Sequence, residues 1–259
     1  MRFLTSLMVS VTVVACASAA VKTEVVEYEF EGTKLKGFLA YDDAKTGKRP
    51  GIMVVHEWWG LNDYAKKRAE MLAEMGYVAF AADMYGEGHV TEHPAEAGKM
   101  SGEVRKSIKV WLGRANAGLD VLKKNDKVDP KQLAVIGYCF GGSTALQVAL
   151  SGGDVAAVVS FHGALPIPTA EQAKSVKARI LVCHGAEDKF IPDATIEKFR
   201  KTLDDAGTKY QFESYPGAVH SFTVKEADAK KLPGMAYQEA ADKKSWAQMK
   251  ALFDQVFGK

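Results

Sequence analysis

Short, almost purely apolar runs recur along this chain with a helix-like stretch between most of them, and no other feature restricts the possible folds as much. Ile52–Val55, Tyr77–Ala82, Leu133–Ile136, Val155–Ser160 and Ile180–Val182 lack the polar alternation of a half-exposed strand. Runs of this length and character read as strands buried on both faces. Between two of them, Asn62–Met75 carries apolar residues at helical spacing through Tyr64, Ala65, Ala69, Leu72 and Met75, with Gly76 as a C-cap. Further helices are predicted over about Ser101–Lys124, Gly141–Leu150, Asp193–Ala206 and Ser245–Phe257. Val25–Phe30 and Leu35–Ala40 flank Glu31-Gly32 as an opening hairpin, and Gln211–Tyr215 is the last strand. This order predicts an α/β fold, a mostly parallel central sheet with helices on both faces. In such sheets ligands bind at the carboxyl ends of the strands.

Residues 1–20 stand outside that pattern. Arg2, the apolar stretch Phe3 to Val14 and the small residues Ala17-Ser18-Ala19 have the layout of a signal peptide and its cleavage site. The apolar stretch is shorter than the roughly 20 residues a membrane span needs. Val13-Val14-Ala15-Cys16 also resembles a bacterial lipoprotein processing box, which would leave a lipid anchor at Cys16. Either route predicts a periplasmic or secreted bacterial protein, with residues 21–259 as a single domain. Of the 259 residues 47% are hydrophobic, enough for a continuous core, and a net charge of +2 predicts no nucleic-acid partner. The expected state is a monomer acting on a small molecule. After the leader only Cys139 and Cys183 remain, which is no disulfide scaffold. Cys183, inside "RILVCHG", reads as a small core hydrophobe.

Cys139 needs another explanation. In "AVIGYCFGGSTAL" an apolar run ends in Gly-x-Cys-x-Gly-Gly and a helix-like stretch follows. α/β hydrolases carry G-x-S-x-G at such a place, with the nucleophile on a strained strand-to-helix turn. The residues just past the other runs are His56-Glu57-Trp58-Trp59, Asp83-Met84-Tyr85, His162, His184 to Asp188, and His220. Cys139, Asp188 and His220 thus follow the α/β-hydrolase chain order of nucleophile, acid and histidine. A thiolate is the nucleophile, an imidazole can carry its proton, and a carboxylate on the far ring nitrogen fixes the tautomer. Asp188 alternatively stabilises a turn before Pro192, with Asp193 as the helix cap. Glu57 either sits beside the thiol or pairs with Lys66, Lys67 or Arg68 on the next helix. His56, His162 and His184 are expected to shape the site rather than act in it. His89 and His93 form an H-x3-H pair without an evident third ligand, so neither a metal nor a cofactor is expected.

Together "HEWWGLN", "ADMYGEG", "VIGYCFGG", "HGAEDKFIP" and "GAVHSF" resemble the dienelactone hydrolase family of α/β hydrolases, over nearly the whole chain after the leader. The resemblance implies a Cys139–His220–Asp188 triad. It also implies that Glu57 contacts the resting thiol and helps generate the thiolate, with the Phe140 and Trp58 backbone N–H groups as oxyanion hole. Two arginines that hold a substrate carboxylate in the dienelactone-opening enzyme have no counterpart. Gly86-Glu87 and Thr223-Val224 stand in their places, with Lys225 and Lys99 as candidate substitutes. Trp59, Tyr85 and Phe222 suggest an apolar or aromatic acyl pocket. A thiolate leaves a tetrahedral intermediate more readily than an alkoxide, so the expected substrates are activated esters, enol or aryl, or lactones. The rival reading is a non-catalytic periplasmic binding protein that keeps the fold for its cleft.

Overall fold

The computed structural model describes residues 21–258. The expected leader with its cleavage site, and the expected lipidation box at Cys16, lie outside the described residues. The chain opens with strands β1 (Val21–Phe30), β2 (Thr33–Asp42) and β3 (Arg49–Val55), then α1 (Asp63–Glu74) and β4 (Val78–Ala82). Helices α2 (Pro94–Lys106) and α3 (Ile108–Lys124) precede β5 (Val128–Tyr138), α4 (Phe140–Leu150) and β6 (Ala157–Phe161). The chain continues through α5 (Ala170–Ser175), β7 (Arg179–Gly185), α6 (Asp193–Asp205) and β8 (Tyr210–Tyr215). A 3-10 turn at Lys225–Lys230 leads to α7 (Glu239–Phe257). No helix among the described residues is long and apolar enough to cross a membrane.

The strands form one sheet in the order β1-β2-β4-β3-β5-β6-β7-β8. β3 to β8 run parallel, while β1 and β2 pair antiparallel at the edge. Successive residues of each inner strand feed opposite faces, which is why these runs are apolar throughout. Met53 and Val55 pack with α2 to α6, whereas Ile52 and Val54 pack with α1 and α7. Val135 and Ile136, Val158 and Val159, and Val182 and Cys183 divide in the same way.

The single helix expected over Ser101–Lys124 is two. Ser107 is extended (φ −123°, ψ 108°) and its hydroxyl oxygen accepts the Val110 N–H, so it ends one helix and caps the next. Pro94 starts α2 at a position where its missing N–H costs nothing. Asp193 is the first residue of α6 rather than its cap, which is Pro192, and an acidic group there suits the helix dipole. Helix α7 starts at Glu239, earlier than its apolar periodicity suggests. A buried ion pair at 2.6 Å between Arg68 of α1 and Asp242 of α7 ties these helices together on one face.

Candidate active site

Cys139 stands between β5 and α4 at φ 52°, ψ −110°, a conformation a non-glycine residue rarely adopts. Such strain costs roughly 1–3 kcal/mol and persists only where the surroundings enforce it. Here the Cys139 N–H bonds the Phe161 carbonyl at 3.0 Å, and its carbonyl accepts from Ser143 N–H at 3.2 Å, so the helix begins at once. The neighbouring glycines let the turn sink between its neighbours. A Cβ on Gly137 would lie 2.0 Å from the Gly141 carbonyl oxygen, and one on Gly141 would lie 2.1 Å from that of Val55. On Gly142 it would meet Ser160 Oγ at 2.7 Å.

The segments after β7 and β8 bring the acid and the histidine to this turn. His220 Nδ1–H donates to Asp188 Oδ2 at 2.8 Å, and both residues are buried. Asp188 Oδ1 also accepts the Phe190 N–H at 2.9 Å, which fixes the carboxylate's plane. The turn reading of Asp188 and its pairing with His220 are therefore both realised. Burial of the His220 ring opposes its charge, but the interaction with Cys139 and the bond to Asp188 outweigh that and raise its pKa to about 10. His220 itself is held by backbone bonds, its N–H to Gly234 and its carbonyl from Ala236, each at 3.2 Å.

Glu57 is buried after β3. Its Oε1 accepts the Ser221 hydroxyl at 3.1 Å and lies 4.0 Å from His162 Nδ1. Burial pushes the carboxyl pKa up, against the pull of His220, Ser221, Lys230 and Arg68. The alternative ion pair on α1 is not made, because those cations are engaged elsewhere. Lys66 meets Asp63, Lys67 meets Glu70, and Arg68 meets Asp242.

Local structure orients the two peptide N–H groups expected to form an oxyanion hole. Phe140 opens α4, so its N–H is one of those a helix start leaves free of intrahelical partners. The other belongs to Trp58. His56 Nε2 accepts the Met84 N–H at 3.2 Å, which leaves the ring proton on Nδ1, donating to the Glu57 carbonyl at 2.5 Å. In a trans peptide the following N–H, that of Trp58, points the opposite way. The Trp58 carbonyl is held in turn by the Tyr85 hydroxyl at 3.0 Å.

Above Cys139 and His220 opens a cleft of about 480 Å³. Its walls are mainly apolar: Trp58, Phe190, Ile191, Leu232, Pro233 and Met235. Three residues expected in the pocket do not line it. Phe222 is fully buried against His162 and Tyr215, because the left-handed turn at Ser221 (φ 59°) sends it into the core. Trp59 is buried against Trp58, beneath the Lys230 ammonium. Tyr85 stands behind Trp58 and faces a separate cavity of about 490 Å³. The Asp83 carboxylate directs it there by gathering the Tyr85, Gly86 and Gly88 N–H groups.

The sequence reading missed Arg105, Phe190 and the 232–235 segment. Arg105, from the last turn of α2, brings a guanidinium to the cleft 4.9 Å from the centre of the Phe140 ring. Lys99 faces the other cavity, and Glu87 is paired with Lys36. Phe190 had a signal in "DKFIP", as a large apolar residue just past a strand end. Its ring packs edge-on to His220 while remaining 54% exposed. His89 meets Glu96, and no cluster of three or more metal-ligating side chains occurs among the described residues.

An eight-stranded sheet in this order, with a strained residue at the turn between β5 and α4, defines an α/β hydrolase. The dienelactone hydrolase family model matches residues 35–257, and the chain belongs to that family, whose members hydrolyse esters and lactones. It is similar to "Protein usf" of Aquifex pyrophilus, 31% identical over 204 residues, covering 77% of this chain and 86% of that protein. Among solved structures it is similar to a dienelactone hydrolase-like promiscuous phosphotriesterase from metagenomic libraries. The two are 37% identical with a TM-score of 0.89, over 92% of this chain and 99% of the other. A structure named m3DLH, 38% identical with a TM-score of 0.88, has the same coverage.

Proposed function

We propose that this protein hydrolyses activated carboxylic esters or lactones through an acyl-thioenzyme, with Cys139 as nucleophile. The observation that carries the reading is the convergence of a strained cysteine and a buried His220–Asp188 pair at the floor of one apolar cleft. The Cys139 thiolate attacks the ester carbonyl carbon, and the electron pair moves to oxygen, facing the Phe140 and Trp58 N–H groups. Collapse of this intermediate breaks the bond to the leaving oxygen, which takes the His220 proton, and leaves the acyl group on sulfur. Water then attacks the thioester and gives a proton to His220, the acid departs from sulfur, and the thiolate left behind takes back the proton held on Glu57, which restores the thiol. Asp188 holds the ring tautomer and stabilises the imidazolium. Glu57 is the proton partner of the resting thiol, taking its proton as the thiolate forms.

A thiolate is the better leaving group against an alkoxide, so activated esters and lactones, those with enol or aryl leaving oxygens, are the substrates this mechanism favours. The leader-like residues 1–20 support action in the periplasm or outside the cell. The test is hydrolysis of p-nitrophenyl esters and a dienelactone by the protein and its Cys139→Ala variant. Turnover that disappears with the sulfur supports the reading, and turnover retained in the variant overturns it. Absence of turnover in both, with ligand still bound, would indicate a binding cleft instead.

A further inference from the structure

A chain of polar groups runs from Arg68 of α1 to His162, which lies 4.0 Å from Glu57, and none of the steps above uses these groups. Arg68 Nε, a donor only, donates to the Tyr64 hydroxyl oxygen at 3.2 Å. That hydroxyl lies 2.6 Å from Thr223 Oγ1, which lies 2.8 Å from His162 Nε2. If Thr223 donated to Tyr64, the phenol proton would have no acceptor in this chain. Tyr64 therefore donates to Thr223, and Thr223 donates to His162 Nε2. A neutral imidazole that accepts at Nε2 carries its proton on Nδ1. Burial, followed by the nearby charges of His220 and Arg68, holds this ring neutral, with its pKa well below the usual value.

The Nδ1 atom is buried without a hydrogen-bond partner. Glu57 Oε1 lies 4.0 Å from it, just beyond hydrogen-bond reach. The ring is boxed by those of Tyr138, His220 and Phe222, so it has little freedom to turn away. His162 also sits at φ 40°, a second left-handed residue at a strand end in this site. Leaving a buried donor without an acceptor is unfavourable. A carboxyl shift of about 1 Å would complete the bond.

The geometry points to His162 as the positioning residue for Glu57: once the carboxylate moves within reach, its Nδ1–H joins the Ser221 hydroxyl as a second donor and holds the Glu57 carboxylate ready to take the Cys139 proton. The inference rests on the reading of Glu57 as the proton partner of the thiol. In that step the S–H bond breaks with its electron pair left on sulfur, and the proton forms an O–H bond on Glu57. Other groups also act on this carboxylate. They are His220 and Ser221 after β8, Lys230 in the 3-10 turn and Arg68 in α1, with the Tyr64 and Tyr138 hydroxyls nearby. The contribution of His162 is therefore read as a shift in a pH profile.

The experiment is the rate of iodoacetamide alkylation of Cys139 against pH, followed by mass spectrometry of its peptide. Cys183 is buried, with its thiol pushed up to about 12, and does not compete. The inflection due to Glu57 is the one that Glu57→Gln abolishes. His162→Leu is expected to move it up by about one pH unit, a tenfold effect, by removing one donor to an anion. His162→Asn, whose amide nitrogen can stand near Nδ1 and which tolerates a left-handed backbone, is expected to keep it near its original position. In the Glu57→Gln background neither His162 substitution should change the profile.

A second readout needs no His162 variant. In nitrogen-correlated NMR spectra the wild-type ring should carry its proton on Nδ1, and that signal should titrate with Glu57 and stop doing so in Glu57→Gln. An inflection insensitive to His162→Leu, or a ring protonated on Nε2, overturns this proposal alone. A profile with no Glu57-dependent inflection overturns both the proposal and the reading of Glu57.

Discussion

His56 Nδ1 donates to the Glu57 carbonyl at 2.5 Å, and through that one bond a buried ring sets the direction of the Trp58 N–H. His56 is kept neutral by burial, which lowers its pKa, and its other nitrogen is occupied by the Met84 N–H. Replacing His56 with Leu frees the peptide to turn. Removing an oxyanion donor outright typically costs a hundredfold or more, and a misdirected donor less. The expected outcome is a loss of about ten- to a hundredfold in kcat with KM nearly unchanged. A change confined to KM would sink this assignment.

Arg105 stands where neither family arginine would. Its guanidinium is expected to favour substrates carrying a carboxylate near the scissile bond. Arg105→Ala should raise KM for those by about tenfold, the scale of one charged hydrogen bond, and leave neutral aryl esters unaffected. Lysine at this position should restore only part of the effect, because a point charge lacks the fork geometry. Steady-state kinetics on a matched pair of charged and neutral esters decides the matter.

The elbow glycines give a stability prediction with an internal control. Gly141→Ala would place a Cβ 2.1 Å from the Val55 carbonyl, so a backbone shift is unavoidable. Destabilisation of about 1–3 kcal/mol or more is expected, together with slower alkylation of Cys139. Gly102→Ala, in α2 with nothing within 4 Å, should be neutral or stabilising by up to about 1 kcal/mol. Urea unfolding of the two variants gives the comparison.

His220 links stability to pH. Its pKa is raised from an ordinary 6.5 to about 10, so the folded state binds this proton more tightly than the unfolded chain. The resulting stabilisation is complete below about 6.5 and is lost as pH rises through about 10. Cys139→Ala removes the largest of the raising influences, so its Tm should fall less steeply over that range. Thermal melts of the two proteins at several pH values, with parallel slopes as the contrary result, provide the check.

Much of this was legible in the chain itself. The parallel order followed from apolar runs separated by helices, and the place of Cys139 from three glycines around one residue after a strand. Asp188 and His220 were legible because each lies just past a strand end, where topology leaves little choice of position. Phe222 shows the limit of that reasoning. It lies two residues from His220, yet a left-handed turn at Ser221 sends the two side chains to opposite places.

What the sequence by itself determined is the layout: which runs are buried strands, which turns need glycine, and which reactive residues lie at strand ends. Those depend on local pattern and on hydrophobic periodicity, both of which are written along the chain. Tertiary structure decided which groups meet. Arg105 reaches the cleft because Ser107 breaks the helix that contains it, and Lys66, Lys67 and Arg68 are diverted from Glu57 by their own partners. The proton on His56 or His162 is set by donors 28 and 61 residues away in sequence. A tautomer or a buried carboxyl's charge depends on what surrounds it in space, and no pattern along the chain specifies that.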